Sequence, residues 1–198
     1  IAFNDSYDTL ENIPLEIIST KQGDQIVFES NFNSTGLSPL IRGSGMLESV
    51  QGFEGRGNGD NIFSNQFLRN QARGNPSEPT ILTLENLPPH QSLGLDFLLG
   101  VIDSWDSDER FTITLDGVEI FAETFRNVGN GGSFGYPAAS LIFRDENIGF
   151  NSAQSSPDAG YDMGQIPSLS NIPHTASSAT IRWFVTGDGW EAGSDKSW

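Results

Sequence analysis

Hydrophobic residues recur at every second position from Leu93 onward. Leu93, Leu95, Phe97, Leu99 and Val101 fall on one face of an extended strand, with Asp96 on the other. Leu98 and Ile102 share the face of Asp96, so both faces of this strand are expected to be partly covered. Phe111, Ile113 and Leu115 alternate in the same way as far as Asp116-Gly117, and residues 118–125 read as the return strand. Asp-Gly between two alternating runs marks a tight hairpin, because both central positions of such a turn need positive φ. Residues 26–33, 62–68, 80–84 and 180–186 read as further strands, the last with Ile181, Trp183 and Val185 facing one way. Residues 35–60 give little regular signal, and 126–175 read mostly as loop. The aromatics of that second region, among them Phe134, Tyr136, Phe143, Phe150 and Tyr161, favour a functional loop over a disordered one.

The composition agrees with short strands joined by many turns. The 198 residues include 22 glycines and 10 prolines spread along the whole length. The expected fold is all-β, a calcium-binding, jelly-roll-like β-sandwich with long loops. A net charge of −16 would repel nucleic acid phosphates and anionic headgroups, so neither nucleic acid nor membrane insertion is expected. The same excess of acid calls for salt or divalent cations, and calcium takes oxygen ligands from flexible Asp- and Asn-rich loops; plain solubilising acidity is the alternative. With no cysteine there are no disulfides, thiolate metal sites or cysteine nucleophiles. No stretch reaches the roughly 18 apolar residues of a membrane span. No signal peptide opens the sequence, which reads as a module of a longer chain, monomeric in itself.

Four carboxylates crowd into seven residues at Asp103-Ser-Trp-Asp-Ser-Asp-Glu109, between two core strands. Carboxylates that close repel one another unless a cation is shared. The loop lacks the glycine and glutamate of an EF-hand, so calcium chemistry is expected in a different frame, with a solvated hairpin tip as the alternative. Trp105 weighs against a bare tip, since an exposed tryptophan there usually has a partner. Asn58 and Asp60 lie in a second oxygen-rich turn that an ordinary turn would also explain, and Asp188 and Asp195 lie in an acidic tail. Only His90 and His174 offer imidazole, each after a proline, and no nucleophile elbow, zinc pair or phosphate loop is present, so a binding protein is expected rather than an enzyme. A carboxylate-pair glycosidase is the open catalytic alternative.

Three segments carry resemblances. Residues 1–18 (IAFNDSYDTLENIPLEII) resemble the junction that opens immunoglobulin-like repeats in bacterial RTX-type and cadherin-like adhesins, which implies calcium at linker acids such as Asn4, Asp5 and Asp8. Residues 82–125, with Leu-Pro-Pro-His, Asp-Ser-Trp-Asp and Asp-Gly-Val-Glu-Ile-Phe, resemble the calcium-dependent peptide-binding domain of RTX adhesins of ice-binding marine bacteria and vibrios. The tail 188–198 is similar to the ending of calcium-binding jelly rolls, which implies a site shared with Glu29. Lys196 stands in its acidic slot and its Asp-Asn is missing, so a closing strand is expected beyond Trp198.

Together these imply a calcium-dependent cell-adhesion module of an extracellular bacterial surface protein, of the kind that works in biofilm. It would bind peptide or protein C-termini, with cell-surface glycans as the alternative. Asp103, Asp106, Asp108, Asn58, Asp60, Asp188, Asp195 and Glu29 are the expected Ca2+ ligands, and Asp103, Trp105, Tyr136 and Tyr161 the ligand-binding residues, with Trp190 beside them. Residues 1–20 are expected to be an adhesin-repeat junction or partial strand and 21–198 the binding domain, inserted into a host repeat.

Overall fold

The computed structural model describes residues 15–19, 25–33, 36–52, 54–58, 61–125, 140–146, 150, 158–188, 190 and 196–198. The chain is mostly β, its sheets are antiparallel and it has almost no helix.

In chain order the first half gives β1 (Leu15–Ser19), β2 (Gln25–Glu29), β3 (Ile41–Gly43), β4 (Met46–Ser49), β5 (Gly57–Asn58), β6 (Asn61–Ile62), β7 (Gln66–Arg69) and β8 (Thr80–Glu85). There follow β9 (Ser92–Asp103), β10 (Arg110–Leu115), β11 (Val118–Thr124), β12 (Leu141–Glu146) and β13 (Asp158–Asp162). A single 3-10 turn, Met163–Gln165, and the four-residue α1 (Pro167–Ser170) precede β14 (Ile172–Pro173), β15 (Ser178–Thr186) and β16 (Lys196–Ser197).

The first main sheet runs β12-β13-β9-β1-β2, with β14 and β16 also paired to β9; the second runs β11-β10-β15-β8-β3. Two small pairs, β4 with β7 and β5 with β6, stand apart from them. The alternation in β9 has the expected result. Leu93, Leu95, Phe97, Leu99 and Val101 are buried and share one core with Phe111, Ile113, Ile181, Trp183 and Val185 of the second sheet. Phe97 and Trp183 meet edge to face, ring centroids 6.3 Å apart. The opposite face of β9 is covered in part by a second cluster, in which Leu98 packs with Phe63, Phe67 and Phe143.

The β10–β11 hairpin turns at Asp116 (φ 51°) and Gly117 (φ 82°), as the Asp-Gly pair demands. Elsewhere the chain is more regular than its pattern. Residues 35–60 contain β3, β4 and β5, and the stretch read mostly as loop supplies β12, β13 and β14. Asp-Ala-Gly-Tyr-Asp carries little alternation because β13 is buried throughout; its Gly160 is needed where a Cβ would run into the ring of Phe143. β1 lies between β2 and β9, so residues 15–19 of the expected junction pair with both strands in the first main sheet; residues 1–14 and 20 lie outside the described residues.

Candidate functional site

β9 is twelve residues long, and its partners change along its length. One edge pairs with β1 over residues 93–97 and with β16 at Ile102 and Asp103; the other pairs with β14 at Ser92 and Leu93 and with β13 over 98–101. Leu93 faces both Ser19 and Ile172, which puts β1 and β14 on opposite edges. Between β1 and β16 the edge at 98–101 therefore has no strand beside it among the described residues.

Alternation fixes which groups face that gap. In an antiparallel sheet a residue directs its N–H and C=O to one side, and its neighbours direct theirs to the other. The Asp162 amide donates to the Ser140 carbonyl on the β12 side, so Tyr161 turns its groups to Leu99. Leu99 and Val101 thus serve β13, while Leu98 and Gly100 aim theirs into the gap, in step with Ile102, which pairs with Ser197.

A second edge faces the first. Trp198 exchanges both backbone bonds with Asn70, at 2.7 and 3.1 Å, just past β7. At this level one strand, Lys196–Ser197 and on to Trp198, lies between the line of β9 and the line of β7. Below it, Leu68 and Gln66 point the way Asn70 does, since Asn65 directs its carbonyl to Val50 on the β4 side. The Gln66 amide is taken by Asn33 Oδ1 at 3.0 Å; Leu68 is left facing the gap.

The result is a berth one strand wide and about four residues, roughly 13 Å, long. It contains a cavity of about 90 Å3. That is room for roughly six to nine water-sized groups, comparable to two branched aliphatic side chains. Phe97, Leu99 and Trp183 line it on the core side, and Leu98, Phe63 and Phe67 on the other. Both walls are apolar, so the berth suits a strand that is apolar on both faces.

The acidic loop is divided by the fold. At Asp103 (φ 67°) the chain leaves β9 and turns inward, so Asp103, Trp105 and Glu109 are buried while Asp106 is half-buried and Asp108 exposed. The Asp158 carboxylate accepts the Asp103 amide at 2.7 Å, and Glu109 accepts the Asp106 amide at 2.8 Å. Trp105 is a core residue: it donates from Nε1 to the Ser197 carbonyl at 3.2 Å and packs on Trp190 and Phe125. Among the described residues no three His, Asp or Glu side chains come close enough together to hold a metal ion.

The other expected ligands are scattered. Glu29 is exposed on β2 and Asp188 is exposed, accepting from Asn75 Nδ2 at 2.8 Å. The backbone of Asn58 belongs to β5; Asp60, Asp195 and Tyr136 lie outside the described residues. Tyr161 is fully buried, its ring 4.8 Å from that of Phe125, and forms part of the core rather than of the berth. A second acidic pair had no signal in the sequence. Burial holds the Asp96 carboxyl above its ordinary value, and the charge of Asp162 adds to the effect.

No protein-family model matches the chain, and neither a curated protein nor a solved structure is found to be similar to it.

Proposed function

We propose that this chain is an extracellular peptide-binding β-sandwich, which takes an extended segment of another polypeptide into the berth as an added strand. The observation that supports it is the pair of facing backbone edges, Leu98 and Gly100 on β9 and Leu68 on β7, one strand apart. The backbone groups of Leu98 and Gly100, facing those of Leu68, match a polypeptide backbone, and main-chain bonds supply the affinity in strand addition. A glycan would meet walls of Phe, Leu and Trp with few polar groups to orient it, which favours peptide over sugar. The ligand class is the one that the resemblance to RTX-adhesin peptide-binding domains implies. Strand addition reads a segment along its length, so a free C-terminus is a separate requirement that the same experiment tests.

Calcium belongs to this proposal as a brace at the acidic end of β9. It rests on the net charge of −16 and on the burial of Asp103, Glu109 and Asp158, the last accepting the Asp103 amide, and gives the ion no part in gripping the peptide.

The test uses the peptide Lys-Thr-Val-Ile-Val-Val-Thr-Lys, an amidated copy, a copy N-methylated at alternate residues, and simple sugars, each with calcium and with chelator. Binding of the first two, with slowed amide exchange at Leu98, Gly100 and Leu68 and no binding of the N-methylated copy, is the expected result. Gly100→Pro removes an N–H aimed at the berth and spares the bonds to β13, so it should weaken binding at least tenfold while the fold is kept. Absence of peptide binding, or protection elsewhere, overturns the reading. So does a longer form of the chain whose own residues after Trp198 protect the same three amides, since the berth is then filled from within.

A further inference from the structure

We infer that His90 and His174 share a single extra proton and act as an acid–base latch between the two main sheets. His90 Nδ1 lies 2.7 Å from the Pro88 carbonyl, His90 Nε2 lies 2.6 Å from His174 Nδ1, and His174 Nε2 lies 3.0 Å from Asp116 Oδ2. The rings are nearly parallel, 14° apart with centroids separated by 4.9 Å.

Both ends of this series accept only. A carbonyl oxygen has no proton to give, and neither has an ionised carboxylate. His90 Nδ1 and His174 Nε2 must therefore each carry a proton, and the 2.6 Å contact between the rings needs a third. Two neutral imidazoles bring only two. The pair is a monocation facing the Asp116 carboxylate, whose other oxygen accepts the Thr180 amide at 2.8 Å. His90 and the His174 side chain are each 6 % exposed, which limits water at the bond between the rings, while the Asp116 side chain is 43 % exposed.

The latch joins distant parts of the chain. His174 follows β14 on the first sheet; Asp116 is the turn of the β10–β11 hairpin on the second; His90 lies in the link from β8 to β9. The segments that converge, 86–91, 116–117 and 171–178, contain no other titratable side chain. Glu85 and Glu119 flank them, opposite Ser178 and Thr114.

Only the singly protonated pair completes all three bonds. Loss of the shared proton leaves one bond unmade, and a second extra proton sets two N–H groups against each other. The latch contributes most while that one proton is held, so its contribution to stability falls as pH rises through the loss of the proton and falls again as a second is taken up.

Asp116→Asn isolates the effect. An asparagine amide donates to His174 Nε2, so the whole series closes with two neutral rings, and Asn suits the left-handed turn position. As pH rises through the loss of the shared proton, the folding constant of the native protein, divided by that of D116N, should fall by up to tenfold per pH unit, the slope of one proton. Nitrogen-15 spectra of labelled imidazoles at pH 7.5 should show three ring N–H protons in the native protein and two in D116N. Parallel pH profiles, or two neutral rings in the native spectrum, would overturn the latch; the native spectrum decides even if D116N folds poorly.

Discussion

Asp96 on β9 and Asp162 at the end of β13 form an acidic pair in which Asp162 sits opposite Leu98, two residues along β9 from Asp96. Burial is the larger cause holding the Asp96 carboxyl above its ordinary value of 3.8, and the charge of Asp162 is the second. From 3.8 up to its folded value, the folded chain binds more protons at Asp96 than the unfolded one, so this contribution to stability falls as pH rises through that window. Asp96→Asn keeps an oxygen for Asn61 Nδ2, which donates at 3.4 Å, and removes the charge. The variant is expected to melt higher than the native protein at pH 7 and to lose the difference toward pH 3; equal melting at both values would refute it.

Gly164 is held to glycine by the same carboxylate, because a Cβ there would collide with the side chain of Asp96. Gly164→Ala should cost about 1–3 kcal/mol in denaturant unfolding, as overpacking does. In a double-mutant cycle, Asp96→Ala should recover most of that loss, which distinguishes the collision from a backbone effect.

Trp105 ties the acidic loop to β16 through its bond to the Ser197 carbonyl. Trp105→Phe keeps a ring in the core and removes the indole N–H from that carbonyl, which still faces Ile102 in the ladder. A loss of about 0.5–1.5 kcal/mol is expected, the net worth of one hydrogen bond. Hydrogen exchange should quicken at Ser197 before it does at the centre of β10; uniform quickening would mean that the tryptophan serves the core alone.

Calcium, if it braces the acidic end of β9, raises the melting temperature by mass action, since it binds the folded state only. At 100 times its Kd the gain is about 2.7 kcal/mol. Asp103→Asn should abolish the rise. A melting temperature unchanged between millimolar calcium and chelator removes the ion from the proposal.

What was legible in the sequence followed from burial on one face. β9, β10 and β15 alternate because one side of each meets the shared core, and Asp116-Gly117 announced its hairpin by turn chemistry alone. β13 was not legible because it is buried on both sides and holds a glycine under Phe143. The run 62–68 reads as one strand, but Asn65 (φ 51°) turns the chain between β6 and β7. The acids of 103–109 were visible, whereas their division into buried and exposed members depends on the inward turn at Asp103. The berth and the histidine pair arise from residues far apart in the chain, Asn70 against Trp198 and His90 against His174, and local pattern carries no trace of such meetings.

The two-edged berth also has a mechanical consequence. A strand seated there is bonded across both long sides, with its hydrogen bonds perpendicular to its axis. Tension applied along that axis loads those bonds in shear, so that they must yield together, whereas a strand on a single open edge can be peeled off one bond at a time. A tether anchored in this berth would hold longest when pulled lengthwise, and the lifetime under load would depend on the direction of pull as much as on the equilibrium affinity.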